Sequence, residues 1–506
     1  MPGSSNPSRL PLLAGVDFGT GGCKITVVDV EGGLVGEGSA EYATHFPRPG
    51  WAEQNPADWH PAMCAVFAGL AERGVPLQRI AAVALDGSTH NAVLLDGAMR
   101  PVRDTIMWTD QRSTAECAQL QTACGEKIFK TAFQTPAPTW TLPQMMWLAR
   151  HEPDVLKRTE HLLFVKDYVR YQLTGVAATD MIEAQGTLFY DFNKMKWSEA
   201  LAALGGISPS VLPELVGPCD VVGAVTAQAA RDTGLPEGIA VVCGTSDSAA
   251  EDYGAGAIRP GQAIVKLATA GNFNVMTARP HPDPRTLTYS HVIPGMWYTV
   301  SATNAAALCQ RWLRGILLPG STGRDAYEQM DGEAARSPAG ANGVMFHPYL
   351  QGERSPYWDA NLRGSFIGLG INAGRGDLCR ALLEGVAMSL RDCRGVIERM
   401  GLPVEELIAI GGGARSKLWR RIVCDVMNTP LACAVPGDAS FGAALLAGVG
   451  AGCYATPAEA VARALKRGEP LTPDPEKAEF YNRLFKKYQA VHDALAPLYA
   501  DAGARR

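Results

Sequence analysis

No stretch of this chain is apolar for long enough to cross a membrane. Its longest uncharged run of note, residues 439–455, is rich in glycine and short of the ~18 apolar residues a span needs. Positive charge is never gathered into a block, and the formal net charge is −5, so neither nucleic acid nor a membrane surface is an expected partner. The 12 cysteines include no CxxC pair and no Cys/His spacing suited to a metal, and residues 1–11 carry no apolar leader. The cysteines therefore read as reduced, mostly buried thiols in a cytoplasmic protein. The P-loop pattern GxxxxGKS or GxxxxGKT is missing, so a nucleotide site here has another architecture. Low-complexity linkers are missing as well. What is left, 506 residues with 47% hydrophobic and 19% charged content, fits a large globular protein of about two to four domains.

Residues 12–29 read as strand, tight turn, strand. Gly19, Gly21 and Gly22 supply the freedom of φ that a hairpin turn needs. Such a turn aims consecutive backbone N–H groups into one concavity that suits an anion. Thr20 adds a hydroxyl, and Lys24 a charge. Asp17 at its mouth repels phosphate unless a divalent cation intervenes, which points to Mg²⁺ with a nucleotide. The plain alternative is an ordinary glycine hairpin. A similar stretch at residues 263–275, with Thr269 in its turn, lies about half a chain away, and the two nests could hold one polyphosphate from opposite sides.

Strands and helices alternate along the rest of the chain, which argues for α/β structure in both halves. Asn55-Pro56-Ala57-Asp58 starts a helix that runs to Arg73 and stops at Gly74. A buried strand over 80–85 leads into the polar Asp86-Gly87-Ser88-Thr89-His90-Asn91, and a short apolar piece over 105–108 into Thr109-Asp110-Gln111-Arg112. Loops after strands collect ligands in α/β proteins. A strand over 239–243 precedes Gly244-Thr245-Ser246-Asp247, and Ser248-Ala249-Ala250-Glu251 reads as a capping box, so Asp247 is either a catalytic base or part of a helix start. Residues 254–261 read as a hinge. In the second half we expect a helix over about 303–313, a long helix over 377–400, and a strand over 407–410 that turns through Gly411-Gly412-Gly413-Ala414 into a helix capped by Ser416. A final helix presents Phe480, Leu484, Tyr488, Val491, Leu495 and Leu498 on one face.

Taken in order, Asp17-Phe18-Gly19-Thr20, Pro49-Gly50-Trp51-Ala52-Glu53-Gln54-Asn55-Pro56, Trp108-Thr109-Asp110-Gln111-Arg112, Gly244-Thr245-Ser246-Asp247, Gly352-Glu353-Arg354-Ser355-Pro356 and Gly411-Gly412-Gly413-Ala414-Arg415-Ser416 resemble the FGGY carbohydrate kinases, of the actin/Hsp70/hexokinase-like ATPase superfamily. Residues 364–369 and 377–384 fit the C-terminal signature of that family. The resemblance runs from about residue 12 to about 490 and is strongest to the xylulokinase group. It implies two ribonuclease-H-like domains flanking a cleft, 1–256 mainly for sugar and 257–506 mainly for ATP.

By the same resemblance Asp247 is the general base. Thr89, His90, Trp108, Asp110 and Ser248 meet the sugar. Thr20, Gly21, Thr269, Gly411, Gly412, Gly413 and Ala414 meet the nucleotide, and Asp17 serves Mg²⁺. The implied reaction is phosphorylation of D-xylulose on its C5 hydroxyl, with D-ribulose, L-xylulose and gluconate open. A homodimer is compatible with the resemblance. Three departures stand out. The xylulokinase group usually carries Gln-Met-His-Gly where this chain has Ser88-Thr89-His90-Asn91, and Asp-Asn where it has Asp247-Ser248. The N-terminal helix signature has Lys where this chain has Gln144. The rival of another class is a sugar-sensing regulator on the same fold; about eleven residues before the first strand leave no room there for a DNA-binding helix-turn-helix. Gly368-Leu369-Gly370-Ile371-Asn372-Ala373 matches a loose dinucleotide fingerprint, but Gly374 and Gly376 interrupt the helix that should follow.

Overall fold

The computed structural model describes residues 10–321, 323–434 and 437–500. Of the segment 1–11, expected to lack an apolar leader, only residues 10 and 11 lie among the described residues. The described chain forms two compact α/β units. One comprises residues 10–256, 289–295 and 437–466, and the other residues 257–288, 296–434 and 467–500, less residue 322. The chain passes from the first unit to the second between residues 256 and 257, and residues 437–466, placed by the sequence reading in the second half, cluster with the first unit.

The first unit is built on a six-stranded sheet of β1 (Leu12–Gly19), β2 (Gly22–Asp29), β3 (Leu34–Glu41), β4 (Ile80–Gly87), β5 (Val221–Ala224) and β6 (Ala240–Ser246), in the order β5-β6-β4-β1-β2-β3. β1, β2 and β3 form an antiparallel meander, whereas β1, β4 and β6 run parallel. Side chains alternate across a strand. Leu12, Ala14, Val16 and Phe18 therefore join Trp59, Met63, Phe67 and Leu70 of the helix Trp59–Glu72 in one buried cluster. Leu13, Gly15 and Asp17 take the opposite face. That face is covered by the helix Ala439–Gly450, which packs on β1, β4 and β6 and on the helix Asp247–Gly254. The approach is close because the contact is made of small residues. A Cβ on Gly15 would lie 1.8 Å from the carbonyl oxygen of Ser440, and one on Gly442 would lie 2.0 Å from that of Ala250. Polar ties register the helix: Lys24 donates to Asp438 at 2.5 Å, and the hydroxyls of Thr26 and Ser440 are 2.7 Å apart.

The second unit repeats the arrangement with β7 (Gln262–Leu267), β8 (Gly271–Thr277), β9 (Trp297–Thr303), β10 (Glu406–Ile410) and β11 (Leu431–Cys433), neighbours in the order β9-β8-β7-β10-β11. β7 is antiparallel to β8 and parallel to β10. The helix Arg375–Arg399 crosses β8 and β9 and buries Leu382, Leu383, Val386, Leu390, Cys393 and Ile397. Asp377 accepts from the backbone N–H of Gly374 and starts the helix two residues before the expected position.

Four local expectations need correction. None of Gly19, Gly21 and Gly22 adopts positive φ. Gly22 is needed instead for contact, since its Cβ would meet the carbonyl oxygen of Ala40 on β3 at 2.6 Å. The helix Asp247–Gly254 is preceded by Ser246, with no side-chain cap and so no capping box. The helix expected from Thr303 begins at Ala307, because Thr303 still pairs with Gly271 in the sheet. In the helix Pro475–Ala500 Tyr488 is buried and Phe480 and Leu484 pack on the core as expected, but the buried stripe is Ala478, Tyr481, Tyr488 and His492, and Leu498 is exposed. All 12 cysteines are free thiols, and among the described residues no helix is long and apolar enough to cross a membrane.

The backbone contact at Gly442 cannot yield to a methyl group. Gly442→Ala is expected to destabilise the first unit by about 3 kcal/mol, at the upper end of ordinary overpacking. Chemical denaturation followed by tryptophan fluorescence measures it, and an unchanged midpoint would contradict the packing described.

Candidate active site

Three carboxylates gather where β1, β4 and β6 end. Asp17 and Asp86 are register partners on β1 and β4, and Asp86 is in turn the partner of Thr245 on β6. Asp247 follows immediately, at the start of its helix. The carboxyl ends of parallel strands, where a loop or helix begins, are where α/β folds bind ligands. Asp247 is held through one oxygen. Its Oδ1 accepts from the Thr89 hydroxyl at 3.0 Å, from the Ser248 backbone N–H at 2.7 Å and from the Ser248 hydroxyl at 3.3 Å. Thr89 and Ser248 are thus brought to Asp247, but their hydroxyls orient that carboxylate.

Asp17 and Asp86 lie in a buried setting. Burial pushes Asp17 up to about 7; a side-chain hydrogen bond with Asp86 works against that rise, and the negative charges of Asp247, Asp438 and Glu251 add to it. Burial likewise raises Asp86, with Asp17 the next cause. Sequence reasoning missed Asp86 by ending the strand two residues early; β4 runs to Gly87. The backbone N–H of Ser88 donates to the carbonyl of Phe18 at 2.9 Å, which ties the ends of β1 and β4 together.

His90 sits beside this group with φ +54°, a left-handed conformation rare outside glycine and Asn. Its backbone N–H donates to Glu183 and its carbonyl accepts from Thr141. Its ring packs 4.8 Å from that of Trp140, and Nδ1 has no partner. Burial lowers its ring to about 3, so His90 is neutral. Glu183 stands on a buried ionic floor. Lys166 bridges Asp167 at 2.6 Å and Asp180 at 3.1 Å, Arg170 pairs with Asp167, and Asp180 accepts from the backbone N–H groups of Ile182 and Glu183 and from the Thr245 hydroxyl.

Thr20 and Gly21 form the tip of the β1–β2 hairpin. The indole N–H of Trp108 donates to the Thr20 hydroxyl at 3.0 Å, and the Trp108 backbone N–H donates to Asn91, which joins three loops. Trp108 is 37% exposed and so keeps an open ring face. Asp110 does not fit its expected role. It is wholly buried, Oδ2 accepts from Ala52 N–H at 2.6 Å and from Arg112, and Oδ1 accepts twice more from Arg112. With its oxygens occupied it braces a loop and is not placed to accept a sugar hydroxyl.

In the second unit a cavity of about 520 Å³ is lined by Leu267, Ala268 and Thr269 of the β7–β8 turn, by Leu308, Gln310 and Arg311, by Tyr327 and Asp331, and by Gly412, Gly413, Arg415 and Ser416. That size suits a nucleotide-sized ligand. Thr269, Gly412 and Gly413 were expected here, but Gly411 and Ala414 do not line the cavity. The glycines have separate reasons. Gly411 has φ +84° and touches Leu267, and a Cβ on Gly413 would strike Trp419 at 2.7 Å, whereas one on Gly412 meets nothing within 4 Å. Only Gly412 is free of packing duties. The helix Lys417–Met427 begins as expected, with Ser416 accepting from Trp419 N–H.

Two outcomes follow from this geometry. Gly412→Val leaves folding intact but projects into the cavity, so KM for nucleotide should rise about tenfold or more with thermal stability unchanged; an unaltered KM would remove Gly412 from the ligand wall. His90, held near 3 against an ordinary 6.5, refuses a proton that the unfolded chain takes. Its penalty is absent above pH 6.5 and grows as pH falls toward 3. His90→Asn, which tolerates the same φ, should flatten the stability–pH slope of the first unit between about pH 6 and 4 by up to about 1.4 kcal/mol per pH unit, read by urea denaturation.

The N-terminal domain of the FGGY family of carbohydrate kinases matches residues 12–254, and its C-terminal domain matches residues 264–451. The xylulose kinase of Staphylococcus epidermidis is 31% identical over 97% of this chain and 98% of its own length. The crystal structure of xylulose kinase from Rhodospirillum rubrum superposes with a TM-score of 0.87 at 32% identity, covering 97% of this chain and all of that one. The gluconokinase of Bacillus subtilis is 26% identical over 88% of this chain and 87% of its own length. Both domains are thus matched in order along nearly the whole chain, and the protein belongs to the FGGY family of carbohydrate kinases.

Proposed function

We propose that this protein transfers the terminal phosphoryl group of ATP to the C5 hydroxyl of D-xylulose, giving D-xylulose 5-phosphate and ADP. The observation that carries the reading is the holding of Asp247: all three of its hydrogen bonds go to Oδ1, which leaves Oδ2 to accept a proton from a substrate hydroxyl. As that proton passes to Asp247, the hydroxyl oxygen attacks the γ-phosphorus and the bond to the β–γ bridging oxygen breaks, releasing ADP. The full-length likeness to xylulose kinases supports the choice of sugar.

The residues around Asp247 would then divide the work. Neutral His90, with Nδ1 unpartnered, meets an oxygen at the far end of the sugar, and the open face of Trp108 forms an apolar wall. Substrate charge is a further criterion. The cations on these elements are committed: Lys24 to Asp438, Arg112 to Asp110 and Glu53, Lys166 to Asp167 and Asp180. An aldonate would bring a carboxylate that these groups do not pair, so an uncharged ketose fits better.

ATP would occupy the cavity of the second unit, with Tyr327 and Leu308 beside the base and the β7–β8 turn at Thr269 nearer the phosphates. Mg²⁺ would neutralise phosphate charge, and Asp17, whose enclosed Oδ1 has no partner, is a hard oxygen donor suited to it. The cytoplasm, where reduced thiols persist, is the compartment this reading favours.

The test is ADP release from the full chain over a panel of ketoses, polyols and aldonic acids, ranked by kcat/KM, with Asp247→Asn as control. D-xylulose should be among the best substrates, and the variant should bind ATP and sugar while losing ~10²–10⁴ in turnover. A best substrate of another class would replace D-xylulose, and near-normal turnover in the variant would remove Asp247 as base.

A further inference from the structure

We propose that Asp86 is the second carboxylate of the divalent-cation site, holding with Asp17, directly or through one water, the ion that accompanies the nucleotide's phosphates. This rests on the kinase reading of the same site.

The two residues are cross-strand partners near the ends of adjacent parallel strands and share one face of the sheet. The Ser88–Phe18 backbone bond fixes their spacing. Asp86 has no exposed surface, and no N–H, hydroxyl or cation reaches either of its oxygens, whose polar neighbour is the Asp17 carboxyl; Oδ1 of Asp17 is likewise enclosed and met by no N–H, hydroxyl or cation. Buried carboxylates are ordinarily satisfied by N–H groups or cations. Here the other charges acting on Asp17 belong to Asp247, Asp438 and Glu251, all acidic. The nearby lysines are spoken for: Lys24 by Asp438, and Lys166, which packs against Gly87, by Asp167 and Asp180. The place is therefore short of positive charge and supplies hard oxygen donors.

The donor number also suits Mg²⁺, which takes one or two protein carboxylates and completes its shell with water and substrate phosphates. A competing account is that the pair shares a proton and binds no ion.

Mn²⁺ serves as the probe, titrated into the full chain with a non-hydrolysable ATP analogue and D-xylulose, and read by electron paramagnetic resonance. No turnover is needed, so the result is independent of whether the sugar is phosphorylated. Asp86→Asn should raise the dissociation constant for Mn²⁺ at least about tenfold while metal-free nucleotide binding stays unchanged. An affinity within about twofold of the parent would overturn the proposal in favour of the shared proton. Because Asp86 is buried and its variant could misfold, crystals of the unaltered protein soaked with Mn²⁺ and the analogue give a second reading. An anomalous peak between the two carboxylates supports the site, and a peak beside Asp17 alone overturns it.

Discussion

Like charges resist being crowded together away from water, and this molecule crowds them. Asp17, Asp86 and Asp247 stand at the ends of three neighbouring parallel strands, with Asp438 and Glu251 close enough to bear on Asp17. Low local dielectric magnifies their repulsion whenever they ionise, which raises Asp17 and Asp86 above the ordinary carboxylate range and leaves the surrounding structure to hold the group together. Much of the first unit is that holding. Thr89 and Ser248 fasten one oxygen of Asp247. Lys24 offsets the charge of Asp438, and the Ser88–Phe18 bond keeps β1 and β4 from separating. Beneath them Lys166, Arg170, Asp167 and Asp180 form a buried network whose charges largely cancel. Such networks contribute little net stability, but losing one member is costly. Its use here is to fix Glu183, and through it His90.

The close fit on the acidic side depends on chain far away in sequence. The helix Ala439–Gly450 reaches β1 only because Gly15 and Gly442 present no side chains, so that backbone lies on backbone. That approach positions Asp438, and thereby Lys24. Apolar packing on the other face, led by Trp59 and Phe67, can then be conventional. The two faces of one sheet thus carry different burdens, and period-two alternation along β1 sorts the residues between them.

That division explains what could be read from sequence. The hairpins, the helices Trp59–Glu72 and Arg375–Arg399 and the turn after β10 announce themselves by caps, glycines and periodicity, which are local. Asp247, Thr89, Ser248 and His90 were named from their places in the family motif; the structure brings Thr89 and Ser248 to Asp247, where they bond that carboxylate. Asp110 was legible as a motif residue but not in its role, because Arg112 and the Ala52 N–H that consume its oxygens are found only by folding the loop. The signal was there in part: Asp and Arg two residues apart often pair. Asp86 was hidden for another reason. It looks like the first residue of a polar loop, and only the register of β4 against β1 sets it opposite Asp17. The attachment of residues 437–466 to the first unit was equally non-local, with small residues at 439, 440, 442, 443 and 444 as its one trace.

Charge also separates the two units. The first offers carboxylates and commits its neighbouring cations to ion pairs, whereas the cavity of the second is lined by Arg311, Arg324 and Arg415 beside Glu328 and Asp331, with Arg324 paired to Glu328, which leaves a small excess of positive charge. Polyphosphate is drawn to the second kind of surface and repelled by the first. A carboxylate general base needs such an acidic setting, since nearby cations would stabilise its ionised form and weaken it as a proton acceptor. The same setting cannot receive a phosphoryl group unaided. On the proposed reading, neutralising charge would arrive with the nucleotide and be anchored at buried Asp86 and at the enclosed Oδ1 of Asp17. An acidic site of this kind discourages phosphate without a cation, so on that reading it would favour a cation–nucleotide complex over bare phosphate.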